Sequence, residues 1–240
     1  PLLAHTGSHA YGFTSGFTHP VFGLDHLLAM LSVGILSAQM GGRALWSVPL
    51  VFVGFMLVGG ILGMLGVPFF TVEIAIAVSV LVLGLCIASS QKFSILLTMA
   101  GVAFFALFHG HAHGVEMPEA VNPTLYALGF ILGTTLIHLL GVALGWWATR
   151  PHRPAFFLRW AGVAIALVGG LLLNSIHSRA EGGGGVPRLL FHSLAFLAQF
   201  SQLFPQPSDT LFPKILWHGF VPDCLGIHLD GVKNVAGFPH

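Results

Sequence analysis

Apolar residues run along this chain in six long blocks, at 20–38, 45–66, 68–89, 93–113, 123–148 and 155–174, separated by short polar breaks. Each approaches the roughly 20 residues an α-helix needs to cross the hydrocarbon core of a bilayer. A lipid-embedded segment must satisfy its own backbone, so helices are expected throughout. The expected fold class is all-α: a polytopic membrane helix bundle with six transmembrane helices. Proline stands at or near the start of several blocks, where its missing N–H is harmless. Pro20 at the first helical position would place His19 at the cap of the first span. Glycines four residues apart, Gly59/Gly63, Gly129/Gly133 and Gly141/Gly145, would let neighbouring helices approach closely.

The two ends of the chain read differently. Pro-Leu-Leu-Ala at the start resembles the tail of a secretory signal peptide cut near Ala4. After Arg179 the apolar blocks stop. A Glu181-Gly-Gly-Gly-Gly run, read as a flexible linker, leads into an apolar stretch, LLFHSLAFLAQFSQLF, with no repeat and no usable motif. The expected division is an external, histidine-bearing segment at 1–19, a six-helix domain at 20–179, and a C-terminal extension of unknown role at 180–240.

Composition narrows the class. Only 7% of residues are charged and 55% are hydrophobic, against about 25% charged in a typical soluble domain. Lipid must therefore cover much of the surface. A net charge of +1 offers no basic field for nucleic acid. Cys86 and Cys224 form neither a disulfide framework nor a thiolate metal site. Basic residues alternate between loops: Arg43 after the first block, Lys92 after the third, and Arg150, Arg153 and Arg159 around the junction of the fifth and sixth. The positive-inside rule then places the N-terminus outside, with Arg179 as the exception. Fourteen histidines outnumber the eight acids and the nine Lys and Arg residues.

Those histidines concentrate in two motifs. HPVFGLDH carries His19, Asp25 and His26, and FHGHAHGVE carries His109, His111, His113 and Glu116. His19 and His26, seven residues apart, share a face of a regular helix, while Asp25 lies about 100° from His26. Asp25 could orient a histidine, bind metal, or face a neighbouring helix. His109, His113 and Glu116 form one stripe. His111 points roughly opposite, unless Gly110 and Gly114 loosen the turn, as in the broken helices of transporters. By the charge rule both motifs lie toward the outer face, as does Glu73. Imidazoles with carboxylates suit Ni²⁺, Co²⁺ or Zn²⁺, whereas the lack of thiolates and the scattered methionines argue against Cu(I). The expected metal ligands are His19, Asp25, His26, His109, His113 and Glu116. Secondary candidates are His5 and His9, which could collect metal outside, His111, Glu73, and His138 as an exit ligand. His138, alone in its block, reads equally well as a packing histidine. Glu119 reads as a solvated loop charge, and Asn174 and His177 as interfacial.

The pair H-x5-D-H in the first span and FHGxAHGxE in the fourth resembles the HupE/UreJ family of nickel permeases, with the likeness covering about residues 5–177. It implies a six-span bacterial inner-membrane protein with a periplasmic N-terminus. It also implies uptake of Ni²⁺, in some members Co²⁺, for hydrogenase or urease maturation. In that family the His, Asp and Glu positions of both motifs are needed for transport. The expected function is thus that of a permease and not an enzyme. It would have no prosthetic group, with a divalent cation and lipid as partners and a homo-oligomer as a possible assembly. Two rival classes are an intramembrane zinc hydrolase and a metal-binding sensor or storage protein.

Overall fold

The computed structural model describes residues 4–180, apart from residue 92, residues 119–120 and residues 151–155, with side chains from residue 12 to residue 179. The side chains of His5 and His9, Glu119 and the 181–240 extension lie outside the described residues. Among the described residues the architecture is all-helical: α1 Ala4–Phe22, α2 Leu24–Met40, α3 Ala44–Met64, α4 Val72–Ser89, α5 Ile95–Glu116, α6 Pro123–Ala148 and α7 Phe156–Ala180. α3 to α7 are each long and apolar enough to cross a membrane, and α1 with α2, bent by 82° where they meet, gives a sixth candidate span when the two are taken together.

That bend corrects the expected first span. The helix does not begin at Pro20, and His19 is not its cap; both lie in the last turns of α1. Pro20 cannot donate a backbone hydrogen bond, which weakens α1 near its end. At Gly23 the backbone is extended, with φ −89° and ψ 110°. α2 then starts afresh with Leu27 N–H donating to the Gly23 carbonyl at 2.8 Å. Asp25 sits in the first turn of α2, where a carboxylate complements the helix dipole.

Glycine sets the packing, because helices in lipid associate through close backbone contact. In the α3–α5 pair a Cβ at Gly59 would strike the Leu107 carbonyl, one at Gly110 that of Met56, and one at Gly114 that of Gly60. Gly129 lies against Phe13 of α1, and Gly141 against Leu31 of α2. Gly84 and Gly162 face each other across α4 and α7. Gly110 and Gly114 therefore serve contact with α3, and α5 runs unbroken to Glu116. The loosened turn considered there is absent; the broken span is the first one.

These contacts also give direction. Increasing residue numbers pair with increasing numbers between α3 and α5, and between α1–α2 and α6, but with decreasing numbers between α4 and α7. Consecutive spans thus alternate. The Gly23 bend, the start of α4 and the end of α5 share one end of the bundle. At the other, the exposed indoles of Trp46, Trp146 and Trp160 accompany Arg43, Arg150 and Arg159, and the Arg150 guanidinium lies 3.9 Å over the Trp146 ring. Such an aromatic belt marks a membrane–water boundary. Large apolar side chains face outward between the two ends, including Leu50, Phe104, Leu132 and Leu140, while Ser32, Ser79, His109 and Thr134 are fully buried. This arrangement suits lipid and not water.

Candidate metal site

α1, α2 and α5 bring the two histidine motifs face to face. His19, near the end of α1, lies edge-on to His113, with ring centroids 4.9 Å apart. His113 lies 4.2 Å from His26, and His26 lies 4.9 Å from His109. The four rings form a file. His19 at one end is partly exposed, its side chain 29% accessible, whereas His113, His26 and His109 are all buried. At the exposed end Glu116 Oε2 stands 3.4 Å from His19 Nε2 and 4.0 Å from His113 Nδ1. Donor atoms of His19, His113 and Glu116 all lie within 4.8 Å of one another, a group able to hold one cation. Tyr126 and Phe130 of α6 flank this end, 5.9 Å and 6.2 Å from the His19 ring.

Hydrogen bonds fix which nitrogen of each inner ring is available. Asp25 Oδ1 accepts from the His26 backbone N–H at 2.9 Å and from His26 Nδ1–H at 2.8 Å. Asp25 thus holds the His26 ring, in line with one of its three expected roles; the 100° separation does not keep them apart because the carboxylate folds back at the helix start. His26 Nε2 keeps its lone pair and has no partner among the described residues. On α4, Ser79 donates its hydroxyl hydrogen to the Ile76 carbonyl at 2.6 Å, so its oxygen accepts from His109 Nε2–H at 2.9 Å. His109 Nδ1 is then the bare nitrogen, again unpartnered. A carboxylate or hydroxyl on the far nitrogen of a metal-binding histidine sets its tautomer and orientation in this way. An unpaired buried polar atom costs about 1–3 kcal/mol. Both nitrogens of His113 are also without a hydrogen bond, so the file carries several such atoms along one line, which suits a polar guest.

The secondary candidates divide. His111 is outside the file: its ring stacks on Phe69 at 4.4 Å and its Nε2 donates to the Val67 carbonyl at 2.7 Å. Glu73 does not touch the file, but with Asp25, His26, His111 and Glu116 it lines a cavity of about 430 Å³, which Arg179 also borders. His138 lies beyond Phe52, whose ring is 5.7 Å from His109 on one side and 5.1 Å from His138 on the other. Three methionines separated in sequence, Met56, Met64 and Met117, line one groove of about 180 Å³ beside His113. Ser79, Phe52, Tyr126 and Phe130 were not singled out from sequence. Ser79, a lone hydroxyl in the apolar run VSVLVL, carries the one faint signal among them.

The family profile described as HupE / UreJ protein matches residues 1–172. Protein HupE of Rhizobium leguminosarum bv. viciae is 43% identical over 171 residues, covering 71% of this chain and 88% of that protein. No solved structure matches. The profile spans the two motifs and ends before the extension, and on the two likenesses together the chain belongs to the HupE/UreJ protein family.

Proposed function

We propose that this multi-pass membrane protein is a permease for Ni²⁺, with Co²⁺ as a second cargo, and not an enzyme. The observation that carries this reading is the file of four imidazoles contributed by α1, α2 and α5. A catalytic zinc site would gather three protein ligands around one point and leave a fourth position for water. Three donors do gather at the mouth, His19, His113 and Glu116, but the rings of His26 and His109 continue the line inward from them, each beside the one before, which suits an ion handed along a path. Conduction needs binding strong enough to replace water and weak enough to release. Neutral imidazoles provide that balance, and Asp25, Glu73 and Glu116 at the mouth offset the ion's charge.

The arginine- and tryptophan-bearing end faces the cytoplasm by the positive-inside rule. The file then opens to the periplasm of a bacterial inner membrane, and the nickel delivered serves hydrogenase or urease maturation. The test is ⁶³Ni²⁺ uptake by cells expressing the chain, compared with His26→Ala and His109→Ala. Each substitution removes one link and is expected to lower uptake about 10–100-fold. Undiminished uptake in both variants would remove the proposed path. Flux in proteoliposomes separates a permease from a sensor or storage protein, which would bind without moving the ion.

A further inference from the structure

We infer that His138 is a second, inner station for the same cation, separated from the outer file by the Phe52 ring; this rests on the permease reading. His138 lies 15 residues into α6, roughly 22 Å along the helix, and is 2% exposed. Neither ring nitrogen has a partner among the described residues. His111 shows what a packing histidine looks like in this bundle, with one nitrogen donating to a carbonyl and the ring stacked on Phe69. His138 has no such bond, and its ring contact is with Phe52 alone among the described residues.

The hydroxyls nearby sharpen the contrast. Thr98, Thr135, Ser37 and Ser79 all donate to a carbonyl three or four residues earlier on their own helices. Thr134 does not: its Oγ1 is unpartnered and fully buried, and it stands one turn before His138 on the same face of α6. Ser32 of α2 is likewise buried and unpartnered, on the helix whose Gly34 packs directly on the His138 carbonyl. His138 and Thr134 thus stand one turn apart on α6 with their polar atoms unspent.

The donor chemistry gives the station its character. The described carboxylates, Asp25, Glu73 and Glu116, all border the cavity at the other end of the bundle. An ion at His138 would be held by neutral donors only. The outer file captures with carboxylate help, while the inner station holds loosely and releases. Its ligand class is a borderline divalent cation that accepts imidazole nitrogen.

The test uses the full chain, with ⁶³Ni²⁺ as the probe. His138→Leu and His138→Gln are compared with the parent for uptake into proteoliposomes and for equilibrium binding in detergent. Uptake velocity is expected to fall about tenfold or more with little change in KM, because the loss follows capture. Equilibrium affinity at the outer file should stay within about twofold of the parent, as expected for separate sites. If His138→Leu does not elute as the parent does on gel filtration, His138→Gln decides. Parent-like uptake in the folded variants would overturn the inner station and leave the outer path standing. Equal losses of affinity and velocity would also overturn it, because they mark a packing role. No flux from the parent would overturn both readings.

Discussion

His19 and His26 reach the imidazole file from two helices across the 82° bend at Gly23, whereas His109 and His113 reach it from consecutive turns of one unbroken helix. α5 is fixed further by its glycine contact with α3, where backbone meets backbone. The two motifs thus supply similar donors on different mechanical terms. The α5 pair is a rigid rail with ligands one turn apart. The α1–α2 pair is set by a junction, and a change in the bend would alter the His19–His26 spacing. A path that must bind and then release an ion gains from having one side that can yield.

Substitutions on the two sides should therefore behave differently. The largest effect is expected on the rigid side: Gly110→Leu forces a side chain into the Met56 backbone and should abolish folded protein, read as the monodisperse yield in detergent. Asp25→Asn comes next. The amide can no longer accept as a carboxylate does from both His26 N–H groups, and loss of such a partner costs about 10–100-fold in metal affinity or activity. Ser79→Ala is the counterpart on the α5 side; it frees His109 Nε2 and should lower uptake toward the bottom of that range, about tenfold. Both should leave the gel-filtration profile unchanged.

Acidification tests both sides together. Protonated imidazole cannot bind a cation, so uptake should fall as the medium is made progressively more acid. A rate in proteoliposomes that does not depend on pH would contradict ligation by the file. The smallest effect is expected at the junction. Gly23 has an ordinary extended backbone, but a Cβ there would lie 3.1 Å from Asp25 Oδ1 and 3.2 Å from His26 Nδ1. Gly23→Ala should shift the pair by tenths of an ångström and raise KM roughly threefold, well short of the 100-fold cost of a 1 Å displacement. A loss as large as that of Asp25→Asn would show that the junction, and not the carboxylate, sets the geometry.

Much of this was legible in the sequence because two periods dominate it. Long apolar runs give the spans, and the i, i+4, i+7 spacing of His109, His113 and Glu116 gives the stripe. The 123–148 block coincides with α6, where Asn122 caps the helix by accepting from Leu125 N–H at 3.1 Å. The break at Gly23 was hidden because a proline before an apolar run looks like a helix start. The polar segment HTGSHAYGFTSGFTH also lacks the continuous apolar pattern of a span, although α1 packs along α6 through Gly129 and Gly133. Gly110 and Gly114 were ambiguous for a related reason: glycine permits both a loosened turn and a close approach, and only the partner helix decides. Ser79 and Phe52 belong to no motif; their roles come from tertiary neighbours far away in sequence.

The protons on His26 and His109 are committed elsewhere, one to Asp25 and the other to Ser79. An ion coordinated by their bare nitrogens would displace no hydrogen from either ring. It would cross with both its charges uncompensated, making its passage electrogenic. A membrane potential acts on such a current with about 2.3 kcal/mol per charge for each 100 mV. An interior-negative potential would pull inward on an ion held by these two rings.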